Sequence, residues 1–350
     1  MFEFKVDGAL DIGSSGIKVA LYKNKKIDKI NFVDYLDMAE EKTVAIQESL
    51  ETLGKKINLK GKNLIVTIPA SKFYVKTLEY SSTKEEGGEA DLEAKIEEDL
   101  EDIISGYTKD DFITQIETIY ETDIYKKLVV ITIPVEEIEK ILGILSQFKI
   151  RVLKIIPDFI ALNNLVDILD QKSEKETNEN IMIVDIGGDT SKIFMSTLGT
   201  LNMLRIVGVG GSDFTEIIKE HEMLDYEEAE LEKHQLELGN DDDRKYKSQS
   251  EMSMFKDLTS IVNELTTQIE NSLEYFNTNL TEGRISKIFL TGGGALIKGF
   301  KPYFDDAFDL PCEEVDLDLL NLDYKKAEDR ELLSTFRITT LMGALIKEVG

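Results

Sequence analysis

The sequence predicts an α/β protein in which two similar lobes each carry a glycine-containing turn. Three observations predict this. The segments LDIGSSGIK and VDIGGDTSK both read as strand, Asp-Ile-Gly, small polar residues and strand, with a downstream lysine. A strand followed by three glycines, LTGGGA, comes near the C-terminus, and strands alternate with amphipathic helices along 350 residues, a length that favours two domains over one. A repeat at this distance implies two similar domains that present their turns to one cleft.

The first half of the chain is predicted to hold a β-hairpin and an inserted module. Strands are expected at Gly8 to Ile12 and Ile17 to Tyr22, around the turn GSSG. The run Asn63 to Tyr80 reads as strand, break at Pro69 and strand. Residues 82–155 then read helix, strand, strand, helix, strand. The apolar stripes of the two helices are Leu92, Ile96, Leu100, Ile103 and Ile104, and Val135, Ile138, Ile141, Leu142, Leu145 and Phe148.

The second half restarts the first with the strand in ENIMIVDIGGDT, after a polar linker at residues 169–180. The acidic run YEEAELEKHQLELGNDDD is predicted to be a solvated helix and loop. SKIFLTGGGALIKGF predicts a buried strand, three glycines and the start of a helix. One long helix is predicted from the apolar stripe Met254, Leu258, Ile261, Val262, Leu265, Ile269, Leu273 and Phe276.

Composition excludes several classes of function. A formal net charge of -27, from 68 acids against 41 bases, repels phosphate backbones and anionic lipids, so nucleic acid is not an expected partner. One cysteine, Cys312, and two histidines, His221 and His234, supply neither a disulfide framework nor the usual zinc ligands. No apolar run reaches about 18 residues, and the N-terminus has no basic region followed by an apolar run. Secretion and direct membrane insertion are therefore not expected.

The two turns have the chemistry of phosphate loops. A nucleotide's phosphates need close backbone N–H donors, small residues and a carboxylate that holds Mg²⁺ through water. Asp11 to Ser15 supply these, and Asp185 to Thr190 supply them again. Either turn alone would read as a glycine hairpin whose Asp bonds its own backbone. Both turns in the same register favour a phosphate site, with Asp11 and Asp185 as the predicted Mg²⁺ carboxylates.

The glycines of LTGGGA, at a strand-to-helix junction, allow a flat ring or a phosphate to lie against the backbone. GxGxxG does not follow the first strand and GxxxxGK[ST] is absent, which excludes the Rossmann and P-loop folds. The order DIGSS, VDIGGDT and LTGGGA resembles the actin-like ATPase (ribonuclease H-like duplicated) fold of actin, heat-shock chaperone ATPases, sugar kinases and FtsA. Within that fold, EAKIEEDLEDIISG, DDFITQIETI, RIVGVGGSDFTEII and RITTLMGALIKEV resemble the PilM family of type IV pilus assembly over essentially the whole chain.

The resemblance implies two lobes around a nucleotide cleft with an inserted 1C-type subdomain. The implied boundaries are 1–81 and 156–178 for the first lobe, 82–155 for 1C, 179–215 and 285–335 for the second lobe (2A), 216–284 for 2B, and 336–350 for a C-terminal helix packing on the first lobe.

The resemblance also implies a site for ATP and Mg²⁺, without identifying a catalytic base. Gly210 and Gly211 have an alternative role as a plain turn, and Glu230 and Lys233 as a solvated i, i+3 pair. Gly16 stands where the family has a third serine, so a phosphate contact there is not implied. The implied site residues are Asp11, Gly13, Ser14, Ser15 and Lys18 in the first phosphate motif; Asp185, Gly187, Gly188, Asp189 and Thr190 in the second; Gly210 and Gly211 near the nucleotide; Glu230 and Lys233 near ribose or adenine; and Gly292, Gly293 and Gly294 in the adenosine motif.

The implied function is that of a cytoplasmic scaffold with slow or no ATP hydrolysis, held at the inner membrane by a protein partner. In this family a groove between subdomains 1A and 1C accepts the N-terminal cytoplasmic peptide of PilN, a bitopic membrane protein. Pilus motor ATPases and self-association stay open as further contacts. Two alternatives also stay open. A small-molecule kinase of the same fold would need a carboxylate base beside a substrate hydroxyl. An FtsA-like division protein would carry a C-terminal amphipathic membrane helix, whereas TTLMGALIKEVG reads as core.

Overall fold

A computed structural model describes residues 5–23, 26–35, 42–81, 89–121, 125–171, 180–197, 200–238, 246–279, 284–315, 323–324 and 336–349. The chain divides into two compact units. Residues 1–70 and 148–350 form the first, here called the main unit, and residues 71–147 form the second, here called the inserted unit. The subdomain boundaries given above stay predictions, because compactness alone does not assign subdomains.

The helices and strands alternate as an α/β protein requires. In chain order they are β1 (Gly8–Ile12), β2 (Gly16–Lys23), β3 (Lys26–Asp34), α1 (Lys42–Lys56), β4 (Asn63–Ile68), β5 (Tyr74–Ser81), α2 (Glu89–Ile103), β6 (Phe112–Glu121), β7 (Tyr125–Pro134), α3 (Val135–Gln147), β8 (Arg151–Pro157), α4 (Asp158–Gln171), β9 (Asn180–Ile186), β10 (Ser191–Thr197), β11 (Thr200–Val207), α5 (Gly211–Glu222), α6 (Tyr226–Lys233), α7 (Gln249–Asn279), β12 (Ile285–Thr291), α8 (Phe300–Ala307), β13 (Cys312–Glu314), β14 (Asp323–Tyr324) and α9 (Thr339–Val349).

The main unit contains two sheets that share the same topology over five strands, and β14 is an additional strand at the edge of the first. The first has the order β14-β3-β2-β1-β4-β8 and the second the order β11-β10-β9-β12-β13. In the first, β1 runs antiparallel to β2 and parallel to β4; in the second, β9 runs antiparallel to β10 and parallel to β12. The lysine of each turn lies opposite its aspartate, Lys18 opposite Asp11 and Lys192 opposite Asp185. The duplication predicted from the sequence is therefore present in strand order, direction and register.

Apolar periodicity explains the second lobe's packing. The 31 residues of α7 bury Met254, Leu258, Val262, Leu265 and Ile269 against the second sheet's core, as their spacing predicts. Such burial stabilises by about 2 kcal/mol for each large side chain.

The prediction of a fully solvated acidic helix was wrong for α6. Its Ala229 and Lys233 are buried, because α6 packs against α5. Residues 239–243 of the same acidic run lie outside the described residues.

The C-terminal helix α9 packs against α4 and β1 of the first lobe. Leu341, Met342 and Leu345 are buried there, and the Asn164 amide donates a hydrogen bond to the carbonyl of Gly343 at 3.1 Å. Helix α4 extends to Gln171, into the predicted linker, while residues 172–179 lie outside the described residues.

The inserted unit has a sheet of order β5-β7-β6 covered by α2. The predicted order of helix, strand, strand and helix is present, but β8 pairs with β4 in the first-lobe sheet. Two residues of the predicted stripes, Ile103 and Leu142, are 40% and 39% exposed, and Ile144 is buried instead. The spacing of apolar residues locates the buried face of a helix only approximately. Leu142 follows Ile141 in the sequence and lies at the edge of that face. Among the described helices, none is long and apolar enough to cross a membrane.

Candidate nucleotide site

The two glycine turns contact each other directly. Each closes with the same bond, from the Gly13 N–H to the Gly16 carbonyl at 2.9 Å and from the Gly187 N–H to the Thr190 carbonyl at 3.1 Å. Between the turns, the Asp189 N–H donates to the Ser14 hydroxyl at 3.0 Å. The Lys42 ammonium, at the start of α1, donates to the Ser14 carbonyl and lies 3.3 Å from the Asp189 carboxylate. Both hairpins therefore face one cleft.

Glycine is required where the turns meet. A Cβ on Gly188 would lie 2.7 Å from both the Ser14 Oγ and the Ser15 Cβ, closer than side-chain atoms approach. Gly292 has φ +91, and a Cβ there would lie 2.3 Å from the Ile186 carbonyl oxygen. The two turns therefore touch at Gly188, and the chain after β12 packs against the end of β9 at Gly292, because neither glycine has a side chain.

The cleft collects most of the predicted site residues. Gly210 instead caps α5 behind the second turn, and Asp189 lies beside the cleft, where its carboxylate contacts Lys42 and Ser212. The predicted residues that line the cleft are Asp11, Gly13, Ser14, Ser15, Lys18, Asp185, Gly187, Gly188, Thr190, Gly211, Glu230, Lys233, Gly292, Gly293 and Gly294. Their roles stay predictions, since position alone does not assign them.

The carboxylate of the first turn has a partner on each oxygen. The Lys18 ammonium donates to one oxygen of Asp11 at 2.8 Å, and the Thr67 hydroxyl donates to the other at 2.7 Å. Asp11 is buried, while the Lys18 side chain is 19% exposed. The three groups come from adjacent strands of one sheet, so this pair lies within the first lobe.

The carboxylate of the second turn belongs to a larger cluster. The Lys192 ammonium lies 2.5 Å from Asp185 and 2.6 Å from Asp158, the first residue of α4 in the other lobe. The second Asp158 oxygen accepts the Ala70 N–H at 3.0 Å. Burial favours the neutral amine, but the two carboxylates outweigh it and raise the pKa of Lys192. The pKa of Asp158 is raised by burial, against the opposing effect of Lys192.

Asp158 and Lys192 were not predicted as site residues. The signal for Lys192 was in the repeat itself, since it has the same register as Lys18. For Asp158 the signal was a carboxylate directly after a strand, in IIPDFIAL.

Glu230 and Lys233 form a hydrogen-bonded network in which Lys233 is buried and Glu230 is partly buried, rather than a solvated pair. The Lys233 ammonium bonds the Glu230 carboxylate, and it donates to the Thr215 hydroxyl at 2.8 Å and the Gly211 carbonyl at 3.2 Å. Burial would raise the pKa of Glu230, but bonds from His234, Lys233 and Thr215 lower it to about 2. Burial lowers the pKa of Lys233, opposed by Glu230. The solvated alternative is therefore wrong for this pair.

Arg337, also not predicted, connects the C-terminal segment with both lobes. Its guanidinium donates to Asp34 at 2.9 Å and lies 2.9 Å from the His234 Nε2 and 5.5 Å from the centre of the Phe32 ring. It lines the cleft beside Gly293. A planar cation at this position could stack on a base or pair with a phosphate.

The carboxylates are already paired with protein groups, which does not fit direct coordination of the divalent ion predicted for them. A Mg²⁺ ion shared by Asp11 and Asp185 needs free carboxylate oxygens facing a hydrated site. Here both oxygens of Asp11 accept hydrogen bonds, one from Lys18 and one from Thr67. The Lys192 ammonium forms an ion pair with Asp185. No cluster of three or more acidic, histidine or cysteine side chains suited to a metal occurs among the residues that the structure describes.

Comparison with known proteins decides the family. The family model described as "Type IV pilus assembly protein PilM" matches residues 9–344. The chain belongs to this family. The match confirms the predicted resemblance and an assignment to type IV pilus assembly. No curated protein matches the chain significantly.

Solved structures confirm the actin-like fold. The chain is similar to the structure titled "PilM-PilN type IV pilus biogenesis complex", with a TM-score of 0.78, 15% identity and coverage of 99% of this chain and 100% of that chain. EutJ, the ethanolamine utilization protein of Carboxydothermus hydrogenoformans, has a TM-score of 0.53, 10% identity and coverage of 99% and 90%. MreB5 of Spiroplasma citri bound to ADP has a TM-score of 0.52, 14% identity and coverage of 97% and 94%.

Proposed function

We propose that this chain is a nucleotide-binding scaffold of the type IV pilus machine that binds the N-terminal cytoplasmic peptide of a PilN-like membrane protein. The family match carries this proposal, because residues 9–344 include both lobes and the inserted unit. The similarity to PilM in its complex with PilN, over nearly all of both chains, supports the choice of partner. Such a scaffold would lie in the cytoplasm and reach the inner membrane through that partner.

The inserted unit offers a surface for an extended peptide. Within its sheet, β6 is an edge strand, and its Ile113 and Ile116 are 49% and 42% exposed. An edge strand can pair with an added strand through main-chain hydrogen bonds, while apolar side chains provide further affinity. This unit has more than two Asp and Glu for each Lys, so a peptide flanked by Lys or Arg would be favoured.

We propose ATP as the ligand of the cleft. The direct contact between two duplicated turns, beside the glycines that follow β12, supports this. Serine hydroxyls, turn N–H groups and the cations Lys18, Lys192 and Arg337 all line the cleft, which suits a phosphate chain. The similar fold of MreB5, solved with ADP, adds support.

The two alternatives are not favoured. A kinase needs a carboxylate base that is free to take a proton. Asp158, a buried carboxylate lining the cleft, is bonded instead to Lys192 and the Ala70 N–H. The family match is to PilM rather than to FtsA.

Peptide binding tests the scaffold. A labelled peptide with the N-terminal sequence of the organism's PilN-like protein is titrated against the full chain, against the double variant Ile113→Asp and Ile116→Asp, and against Leu231→Asp. Leu231 is 62% exposed on α6 of the main unit and serves as the matched control. The double variant is expected to lose at least about tenfold in affinity and the control less than about twofold. Equal binding by all three would place the partner elsewhere.

Nucleotide binding is tested separately with a fluorescent ATP analogue and competition by unlabelled ATP and GTP. Micromolar affinity, about 8 kcal/mol, with a preference for ATP is expected. No displacement by ATP, or equal displacement by GTP, would contradict the proposed ligand.

A further inference from the structure

One buried ammonium lies between two carboxylates that line the cleft. The Lys192 side chain is 7% exposed, and its Nζ bonds Asp185 at 2.5 Å and Asp158 at 2.6 Å. Asp185 ends β9 in the second lobe, and Asp158 begins α4 in the first. The Lys192 ammonium therefore occupies the position, between one carboxylate from each lobe, in which a bound metal ion would neutralise both.

The ammonium and a divalent ion compete for the same oxygens. Lys192 shares its charge between Asp158 and Asp185, and buried like charges a few ångströms apart repel strongly. On the first turn, Lys18 and Thr67 take both oxygens of Asp11. Each turn of this chain therefore already holds a protein cation on the carboxylate that the sequence assigns to Mg²⁺.

We propose that Lys192 replaces the divalent cation at the second turn, so that the chain binds a nucleoside triphosphate without needing a metal. The proposal rests on the proposed nucleotide function. Lys192 and Lys18 line the same cleft, so their ammonium groups lie where the phosphate chain would bind. The Lys192 ammonium also holds the Asp158 carboxylate in an ion pair.

The first measurement needs no nucleotide. Lys192→Met removes the charge and keeps an unbranched side chain of similar length, leaving Asp158 and Asp185 uncompensated. Thermal unfolding is followed in EDTA and in millimolar Mg²⁺. The variant is expected to gain about 2 °C or more from Mg²⁺, because the ion then takes the vacated position, and the native chain no measurable amount.

Lys127→Met is the matched control for the loss of one charge. Lys127 is 13% exposed in the inserted unit and lies 3.3 Å from Glu79. It should respond to Mg²⁺ as the native chain does. An equal gain in both variants would show general screening of an acidic protein and would overturn the proposal. If Lys192→Met does not fold, Lys192→Gln is measured in its place. Lys192→Arg keeps the charge, so its thermal unfolding should again not depend on Mg²⁺.

The second measurement is ATP affinity in EDTA and in Mg²⁺. The ATP affinity of the native chain is expected to differ less than about threefold between EDTA and Mg²⁺, and that of Lys192→Met about tenfold or more. A tenfold loss for the native chain in EDTA would overturn the proposal. If the native chain binds no ATP in either condition, the proposed nucleotide function fails. The unfolding measurement alone then supports or contradicts the assignment of Lys192 to the position of the divalent cation.

Discussion

The two glycine turns have the same strand register but different surroundings. In the first, Lys18 bonds Asp11 inside its own lobe, and its side chain is 19% exposed. In the second, Lys192 is buried and bonds both Asp185 and the Asp158 of the other lobe. A duplicated motif therefore does not imply a duplicated role. The first turn keeps a cation near solvent, while the second uses the equivalent cation to join the lobes.

The comparison extends to the second buried lysine of the second lobe, Lys233. Lys192 has two carboxylate partners, and its pKa is raised. Lys233 has one, Glu230, with Arg337 nearby, and its pKa is lowered. Burial opposes the charge in both cases, so the number of carboxylates decides the direction of each shift.

The largest expected effect separates the two turns. Lys192→Met should lower the free energy of unfolding by about 3–5 kcal/mol, because it leaves two buried carboxylates with no cation. Lys18→Met should cost about 1–2 kcal/mol, since Asp11 keeps the Thr67 hydroxyl and the Lys18 side chain is already 19% exposed. Denaturant unfolding of both variants measures the difference. Equal losses would mean that the turns are equivalent after all.

A medium effect is expected from the contact between the turns. Gly188→Ala places a Cβ 2.7 Å from Ser14 and Ser15 and should cost about 1–3 kcal/mol through overpacking. Gly13→Ala, at the glycine of the first turn that corresponds to Gly187, meets the Gly16 carbonyl oxygen at 3.1 Å and should cost less than about 1 kcal/mol. Thermal unfolding compares them. A milder effect of Gly188→Ala would show that the turns separate readily in solution.

Sequence patterns predicted the strands, the duplication and most cleft residues, because each follows from local chemistry. Alternating apolar residues define strands, and the repeated Asp-Ile-Gly fixes the register that places Lys18 and Lys192 opposite their aspartates. The partners of those side chains could not be predicted in the same way. Asp158 reaches Lys192 across 34 residues and two lobes. Arg337 reaches Asp34 across 303 residues, which only the folded chain brings together.

The smallest expected effect concerns pH. The pKa of Glu230 is lowered to about 2 in the folded chain, below its ordinary value of 4.5. A lowered carboxyl pKa contributes stability that is present above the unfolded value and is lost as pH falls through the folded value. The native chain should therefore lose stability between about pH 4.5 and pH 2 that Glu230→Gln does not lose. Because the carboxylate is 29% exposed, the expected difference is about 1 kcal/mol.

Urea unfolding at pH 5 and pH 3 measures this difference, with Glu227→Gln, an exposed position on the same helix α6, as the control. Glu227→Gln should follow the native chain at both values, because its side chain lies in water. If Glu230→Gln also follows the native chain, the bonds from Lys233, His234 and Thr215 do not hold the Glu230 carboxylate ionised. Lys233 would then not be paired with an ionised Glu230 carboxylate, and its comparison with Lys192 would no longer hold.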